Sequence, residues 1–192
     1  MTHNTRSALI IIDMQNDFVL PNGPVCVAGA AATVPLISQL LSHFRQHQGP
    51  VFHVVREHRA DGSDVDNFRK ALFAEDKKFV IPGTDGCEIV EPLQPTANEY
   101  RLVKPRFSAF MQTELDMMLR RLAITQLVVC GTQYPNCIRA TVLDAVSLDY
   151  QVTLVTDATS AQTADIAAAN ILDMANIGVS CLTTHQFITE NA

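Results

Sequence analysis

The sequence predicts an α/β domain, a three-layer α/β/α sandwich built on a six-stranded parallel sheet of order 3-2-1-4-5-6. Short apolar runs recur along the chain and alternate with stretches in which apolar residues repeat at helical spacing. Strands of a parallel sheet read as continuous apolar runs, because helices cover both faces of the sheet. The length of 192 residues suffices for one such domain, so residues 1–192 are expected to form a single unit.

The composition is that of an ordinary soluble globular protein, and the cysteines favour a cytoplasmic one. Apolar residues make up 47% and charged residues 18%, and the net charge of −6 argues against nucleic acid or an anionic membrane as a partner. The apolar run 8–12 is too short for a signal peptide or a membrane span. The five cysteines are odd in number and contain no C-x-x-C pair, which favours reduced thiols over disulfides or structural zinc.

The first half of the chain supplies three predicted strands and two predicted helices. The first strand, 7–14, reads SALIIIDM. A helix over 33–47 is expected to have Thr33 as its N-cap and Pro35 in its first turn. The remaining elements are expected at 51–55 (strand), 64–73 (short helix) and 100–103 (strand), with a long loop at 79–95.

The second half supplies three more strands and three helices. The helix 113–122 opens with a weak capping-box pattern, Thr113 to Asp116. The strand 127–130 is broken by Gly131, and a helix is expected to begin near Pro135, where a missing N–H costs nothing. The last elements are expected at 151–155 (strand), 163–176 (helix) and 179–182 (strand).

Three residues with reactive side chains follow predicted strands. Asp13 closes the first strand, Lys104 ends the third, and Cys137 falls in the first turn of the helix after the fourth. Parallel sheets build their sites at this carboxyl edge, and a helix N-terminus favours a thiolate. In a doubly wound order Asp13 and Cys137 face each other across the crevice, whereas Lys104 must reach past the end of the second strand. Free cysteines are also common core residues, and Cys130 is interpreted as one.

A polar segment, 56–64, leaves the second strand at the same edge. Together with Arg106, its residues Arg56, His58 and Arg59 can bind a carboxylate, and a solvated loop explains the same pattern equally well. His53, inside the strand, is interpreted as a histidine whose hydrogen bonds are satisfied within the core.

Three motifs resemble those of the isochorismatase-like cysteine hydrolases: DMQNDF at 13–18, KPRFSAF at 104–110 and GTQYPNC at 131–137. That family includes nicotinamidases and N-carbamoylsarcosine, biuret and ureidoacrylate hydrolases. The resemblance implies the strand order 3-2-1-4-5-6, a catalytic triad of Cys137, Asp13 and Lys104, and a homodimer or homotetramer. It also implies a cis peptide at Thr132–Gln133 and an oxyanion hole formed by the N–H groups of Gln133 and Cys137.

Further side chains near these motifs are expected to bind substrate: Gln15, Phe18, Arg56, His58, Phe107, Phe110 and Tyr134. Tyr134 stands where the family commonly has a small threonine, and it is expected to narrow the pocket. Nicotinamidases of the family carry a metal-binding D-x-H after the second strand. Here Glu57-His58-Arg59 follows, without a second histidine in the next loop, so we expect no metal and no other cofactor, and nicotinamide is disfavoured.

The function expected from these residues is hydrolysis of a C–N bond in a small amide or ureide through a Cys137 thioester, with release of ammonia or an amine. Isochorismatases proper lack the nucleophilic cysteine, so Cys137 argues against vinyl-ether hydrolysis. Two other readings remain open. One pairs Cys137 with His185 as a Cys-His hydrolase, and the other is a small-molecule-binding protein that keeps the fold without turnover.

Overall fold

The computed structural model describes residues 6–74 and 77–191, and these form a six-stranded, all-parallel sheet. Its strand order is β3-β2-β1-β4-β5-β6, which confirms the predicted sheet. The strands are β1 (Ser7–Ile12), β2 (Val51–Arg56), β3 (Tyr100–Lys104), β4 (Gln126–Thr132), β5 (Gln151–Ser160) and β6 (Ser180–Leu182). The fifth strand runs five residues beyond the expected end at 155, because β4 continues to pair with it after a register shift.

Helices connect the strands and cover both faces. They are α1 (Asn16–Val19), α2 (Ala30–Gln46), α3 (Lys70–Ala74), α4 (Leu115–Arg121), α5 (Arg139–Ser147), α6 (Ala164–Asn176) and α7 (Thr184–Glu190). Short 3₁₀ turns lie at Asn67–Arg69, Asp85–Cys87 and Glu91–Leu93, and a π-helical turn lies at Tyr134–Ile138. Among the described residues, no helix combines the length and apolar character that crossing a bilayer requires.

The core consists of two apolar layers, one on each face of the sheet. Leu9 and Ile11 of β1 point into the layer that holds Ile37 and Leu40 of α2. The alternate residues of the same strand, Ala8, Ile10 and Ile12, point into the layer that holds Leu119 of α4 and Val142 of α5. Because side chains alternate along a strand, one continuous apolar run fills both layers.

The register of the central strands brings three carboxyl ends together. Ile12 of β1 aligns with Val54 of β2 on one side and with Gly131 of β4 on the other. Gly131 has φ +117°, and a Cβ atom there would lie 2.2 Å from the carbonyl oxygen of Ile12. Only glycine fits so close an approach of two backbones. The backbones of β1 and β4 are therefore unusually close at their carboxyl ends, and the residues that follow the two strands lie in one crevice.

Two expected helix starts were wrong. Helix α2 begins at Ala30 rather than Thr33, which donates its hydroxyl to the Ala30 carbonyl instead of capping the helix. Alanine has a high helix propensity, and three alanines begin this helix, the first of which, Ala30, is fully buried. These contributions outweigh the loss of one backbone hydrogen bond at Pro35, which has no N–H to donate. Helix α4 begins at Leu115, and no capping box forms, since Asp116 instead binds Arg120 and the hydroxyl of Tyr150.

The crossover from β2 to β3 holds less helix than expected. The segment expected to be helical from 64 to 73 begins with turns, and its helical part starts only at Asn67. Asp64 instead accepts hydrogen bonds from the Arg59 N–H, and Asp66 binds arginine side chains. These acidic residues hold the crossover against the carboxyl edge of the sheet.

Candidate active site

Asp13, Lys104 and Cys137 meet at the carboxyl edge of the sheet. The Lys104 Nζ donates a hydrogen bond to Asp13 Oδ2 at 2.8 Å and lies 3.3 Å from Cys137 Sγ. A third contact, to the Arg106 carbonyl at 3.2 Å, occupies the remaining N–H of the ammonium group. Lys104 aligns with Arg56 at the end of β2, so its side chain does cross the end of that strand. The ammonium group is fully buried and fixed on three sides.

Asp13 lies immediately after β1 in an unusual backbone conformation. Its φ is +52°, in the left-handed region that residues other than glycine seldom adopt, and its N–H donates to the Val54 carbonyl at 2.8 Å. The carboxylate is 2% exposed, and Oδ1 has no hydrogen-bond partner among the described residues. A buried carboxylate oxygen without a partner is costly in a purely structural group. Its position beside the thiol leaves that oxygen free to accept a proton.

Cys137 lies in the π-helical turn between β4 and α5. The peptide bond between Thr132 and Gln133 that precedes this turn is cis. The Cys137 side chain is 5% exposed. Burial and the negative charge of Asp13 raise the pKa of the Cys137 thiol above its ordinary value, while Lys104 and Arg56 oppose that rise. This direction favours the neutral thiol over the thiolate.

Arg56, the last residue of β2, supplies a second cation to the thiol. Its guanidinium is fully buried, lies 4.0 Å from Cys137 Sγ, and donates to Asp66 Oδ2 at 2.7 Å. Gln15 holds the backbone on both sides, since its amide accepts from the Arg56 N–H and donates to the Arg56 carbonyl, each at 2.8 Å. Gln15 thus positions Arg56, and it does not line the cavity.

A cavity of about 10 Å³, room for roughly one water molecule, opens beside Cys137 Sγ. Its walls are Asp13, Phe18, Val27, Arg69, Thr132, Gln133, Asn136 and Cys137. Of the side chains expected to bind substrate, Phe18 lies in this wall. Arg69 and Asn136 lie there too, although the sequence did not single them out.

The remaining side chains expected to bind substrate lie around the cavity or away from it. Phe107 lies under the guanidinium of Arg56, whose central carbon is 5.5 Å from the ring centre. Phe110 stacks on Tyr150, behind the site. The Tyr134 hydroxyl donates to the Thr156 carbonyl, so the side chain points toward β5 and is absent from the cavity wall.

The residues after β2 do not fit a metal site. Glu57 forms an ion pair with Arg101, and His58 is buried with its ring edge-on to Phe73 and Phe79. Burial and the positive charge of Arg56 lower the pKa of His58 to about 4, and an adjacent cation repels a second one. Within residues 6–74 and 77–191, no three His, Cys, Asp or Glu side chains are grouped to hold a metal ion.

His185, the residue that a Cys-His pair would require, lies on α7 beyond the edge strand β6. Its side chain is exposed and is not part of the cavity wall. The strand order separates β6 from β4 by β5. The geometry therefore favours Asp13 over His185 as the partner of Cys137.

Comparison with known proteins gives consistent similarities along the chain. The isochorismatase domain family matches residues 7–186. A probable inactive nicotinamidase of Arabidopsis thaliana is 46% identical over 190 residues, covering 97% of each chain. The ureidoacrylate amidohydrolase RutB of Serratia proteamaculans is 30% identical over 172 residues, covering 80% of this chain and 69% of that protein. The crystal structure of an isochorismatase family protein from Desulfovibrio vulgaris superposes with a TM-score of 0.93 at 54% identity, covering 96% of this chain and 97% of that one.

Proposed function

The chain belongs to the isochorismatase family of hydrolases and amidases, and on that premise we propose that it hydrolyses a C–N bond of a small amide or ureide through a thioester at Cys137. One observation carries the proposal: a single buried ammonium group, that of Lys104, lies within 3.3 Å of Cys137 Sγ and 2.8 Å of Asp13 Oδ2. A nucleophile, a base and a cation thus lie together at the carboxyl edge of the sheet, and the first two line the cavity.

We propose Asp13 as the base, because its Oδ1 has no partner among the described residues and its side chain lies beside the Cys137 thiol. A thiol that is protonated at rest attacks a carbonyl only if its proton is removed in the same step. The free Oδ1 of Asp13 is the acceptor for that proton, while Oδ2 remains bonded to Lys104. Lys104 compensates the negative charge that passes between Cys137 and Asp13, and it keeps the carboxylate in place.

The reaction then proceeds in two halves. Cys137 Sγ forms a bond to the substrate carbonyl carbon as its proton moves to Asp13, and the carbonyl electron pair becomes an oxyanion. When the oxyanion collapses, the C–N bond breaks, and Asp13 returns the proton to the leaving nitrogen, which departs as ammonia or an amine. Water next attacks the thioester and gives a proton to Asp13. The C–S bond breaks, Sγ regains a proton, and the acid product leaves.

The oxyanion requires N–H donors aimed at the cavity. We propose the backbone N–H groups of Gln133 and Cys137 for this role, because both residues line the cavity and lie on the turn that follows β4. Removing one such donor in other enzymes costs about 10²–10³ in rate. Thr132, whose hydroxyl accepts a hydrogen bond from Ser160 at 2.7 Å, anchors the turn from behind.

The substrate is a small amide or ureide other than nicotinamide. The relative from Arabidopsis is named a probable inactive nicotinamidase, and the residues after β2 do not fit a metal. The relative named ureidoacrylate amidohydrolase supports a ureide. The cavity holds only about one water molecule, so part of its wall must move to admit a substrate.

We also propose that the protein forms a homodimer or homotetramer in a reducing, cytoplasmic environment. All five cysteines are free thiols, which suits such an environment. Large apolar side chains such as Phe68 and Leu172 are 66% and 63% exposed, and a subunit interface would cover them. Light scattering coupled to size-exclusion chromatography tests the assembly, and a monomeric mass at micromolar concentration would contradict it.

The test of the proposed reaction is release of ammonia or an amine from a panel of amides and ureides. The panel contains ureidoacrylate, biuret, maleamate and N-carbamoyl amino acids, with nicotinamide for comparison. Cys137→Ala is expected to lower turnover by at least about 10⁴-fold, because no other side chain in the cavity wall can form the thioester. The control is Cys130→Ala, which removes a fully buried cysteine of β4 and is expected to leave turnover near that of the wild type. Equal activity of wild type and Cys137→Ala would sink the proposed mechanism.

A second candidate, a binding protein without turnover, is favoured by one observation: the similar Arabidopsis protein is named as probably inactive. Quenched-flow mass spectrometry separates the two candidates. A hydrolase gives a wild-type species heavier by the acyl group of the substrate, and this species is absent in Cys137→Ala. A binding protein gives saturable binding, no covalent species, and the same affinity in both proteins.

A further inference from the structure

Three arginines share a single carboxylate beside the cavity. Asp66 Oδ2 accepts from Arg56 at 2.7 Å and from Arg69 at 3.4 Å, and Asp66 Oδ1 lies 3.7 Å from Arg106 Nε. The Asp66 side chain is 8% exposed, so these contacts are largely removed from water. The other carboxylates at this edge have partners of their own: Asp13 is paired with Lys104, Glu57 with Arg101, and Asp64 accepts from the Arg59 N–H. This arginine cluster (Arg56, Arg69 and Arg106 around Asp66) therefore has more positive than negative charge.

The structure places Arg69, of the three, in the wall of the cavity that contains Cys137 Sγ. Its side chain is 13% exposed, and its guanidinium lies 5.0 to 5.8 Å from the ring centres of Phe68, Phe79 and Phe107. Contacts with three aromatic rings restrain the guanidinium, and a guanidinium binds anions through N–H groups that lie in its own plane. Its distance to Asp66 is long for an ionic hydrogen bond, so Asp66 does not saturate it.

Arg56 lies behind Arg69 and reinforces its charge. The Nε of Arg56 has no hydrogen-bond partner among the described residues, although the side chain is fully buried. Burial and the neighbouring charge of Arg56 lower the pKa of Arg69, because the two cations repel each other and share Asp66 as a counterion. An anion bound at this point would relieve that repulsion, since of the two carboxylates that act on both arginines, Asp66 is shared among three cations and Asp13 is paired with Lys104.

We propose that Arg69, backed by Arg56, binds a carboxylate of the substrate, so that the enzyme acts on anionic amides or ureides rather than neutral ones. This inference rests on the proposed function and narrows its substrate class to N-carbamoyl amino acids, ureido acids and monoamides of dicarboxylic acids. A planar carboxylate matches the fork of a guanidinium, and the neighbouring rings exclude water from the pair. The scissile carbonyl would then lie between Arg69 and Cys137 Sγ, because both line the same small cavity.

The test uses two alkylating reagents that differ in charge. Iodoacetate and iodoacetamide both form an S–C bond at Cys137 with loss of iodide, and only iodoacetate carries a carboxylate. An anion site beside Sγ is expected to make the ratio of their rates (iodoacetate over iodoacetamide) at least about 10-fold higher than that for glutathione, since a cation a few ångströms away favours the anion by roughly this factor. Peptide mass spectrometry measures the rate at Cys137 alone.

Three variants of the protein assign the preference. Arg69→Gln is expected to lower the rate with iodoacetate about 10-fold and to change the rate with iodoacetamide less than 2-fold. Arg69→Lys keeps the charge and is expected to retain most of the preference, which separates charge from lost packing. The matched control is Arg120→Gln, which removes an exposed arginine of α4 paired with Asp116 and is expected to leave both rates unchanged. A wild-type ratio equal to that of glutathione, or a ratio unaffected by Arg69→Gln, would overturn the proposal.

A binding measurement keeps this proposal distinct from the proposed reaction. Cys137→Ala, titrated calorimetrically with succinate and with neutral succinamide, is expected to bind only the dicarboxylate, and Arg69→Gln is expected to abolish that binding. Binding of succinate without alkylation at Cys137 would support the anion site and overturn the nucleophile. Alkylation without a charge preference or succinate binding would overturn the anion site and leave the nucleophile standing.

Discussion

Two ionic clusters lie at opposite ends of the β2–β3 pair, and they differ in how completely their carboxylates are bonded. The lower cluster, near the amino end of β3, consists of Glu99, Arg45 and His53. Glu99 accepts hydrogen bonds from Arg45 at 2.6 and 3.0 Å and from the Thr96 N–H at 2.9 Å, and it contacts His53 Nε2 at 2.9 Å. Both of its oxygens have partners. The upper cluster, at the carboxyl end of β3, consists of Asp13, Lys104 and Cys137. Asp13 binds Lys104 through Oδ2, and its Oδ1 has no partner among the described residues.

The difference indicates which cluster is structural and which is chemical. A saturated carboxylate gains its full stabilisation in the folded state and has no free lone pair directed at a ligand. An unsaturated one costs stability, and it is retained where another function requires it. Asp13 also adopts φ +52° and stands next to a nucleophilic side chain, so the upper cluster combines three features that the lower cluster lacks.

The largest expected effect is on activity, from removing the base. Asp13→Asn is expected to lower kcat/KM by about 10³-fold, because the neutral amide cannot accept the thiol proton. Glu99→Gln is the matched change in the lower cluster and is expected to keep kcat/KM within about 2-fold of the wild type. Steady-state assays on the best substrate of the panel measure both.

Asp13→Asn leaves Lys104 buried without its counterion, so folding needs its own control. The double variant Asp13→Asn/Lys104→Met removes both charges and is expected to regain stability while staying inactive. If Asp13→Asn kept more than a tenth of the wild-type activity, the assignment of the base would be wrong.

The second effect is on stability and comes from the lower cluster. Glu99→Gln is expected to lower the free energy of unfolding by about 1–2 kcal/mol, because Arg45 and His53 lose the carboxylate that they share. Burial opposes ionisation of Glu99, but the hydrogen bonds from Arg45 and Thr96 outweigh it and lower the pKa to about 2. Its stabilisation is therefore complete above the unfolded pKa of about 4.5 and is lost as pH falls toward 2. Urea titrations at pH 7 and pH 3 measure both differences, and equal unfolding midpoints for wild type and Glu99→Gln at pH 7 would contradict the structural role.

The upper cluster was the easier of the two to predict from sequence. Asp13 and Lys104 each end a readable apolar run, and Cys137 follows one at the first turn of a helix, so strand periodicity alone places all three at one edge. That Lys104 crosses the end of β2 depends on side-chain packing, which periodicity does not describe. Its ammonium group nevertheless reaches both partners.

Arg69 was missed because it enters the site from a crossover and not from a strand end. The segment 67–74 folds as a 3₁₀ turn followed by a short helix, and nothing in its spacing aims one side chain at the sheet. The available signal was the Phe68-Arg69 step two residues after Asp66, which sets an aromatic ring and a cation close to a carboxylate in the sequence. The Glu99–His53 contact was equally invisible, since 46 residues separate its partners.

The third effect is a dependence of stability on pH. It comes from His58, a buried side chain near the upper cluster that takes no part in the proposed reaction. His58 lies between Phe73 and Phe79, with Arg56 and Arg69 as neighbouring cations and Asp64 Oδ1 3.5 Å from its Nδ1. Burial and Arg56 lower its pKa to about 4, so below pH 6.5 the unfolded chain binds a proton that the folded protein does not. Stability is expected to be unaffected above pH 6.5 and to fall by about 1–2 kcal/mol between pH 7 and pH 5.

The matched variant for His58 is His58→Phe, which keeps an aromatic ring between Phe73 and Phe79. Its unfolding midpoint in urea is expected to lose this part of the pH dependence while retaining the dependence due to Glu99 below pH 4.5. Identical profiles for wild type and His58→Phe between pH 7 and pH 5 would show that His58 titrates normally in the folded protein.

The smallest effect tests whether a more exposed ion pair beside β2 and β3 contributes as much to stability as Glu99 does. Arg101 and Glu57 form an ion pair on the same two strands, but their side chains are 42% and 23% exposed. Water screens such a pair and leaves it worth about 0–1 kcal/mol, so Arg101→Gln is expected to change the free energy of unfolding by less than about 0.5 kcal/mol and to leave kcat/KM unchanged. If Arg101→Gln lost as much unfolding free energy as Glu99→Gln, exposed ion pairs beside β2 and β3 would stabilise the fold as strongly as the Glu99 cluster does. The contrast between the saturated and unsaturated carboxylates would then no longer identify the reactive end of the sheet.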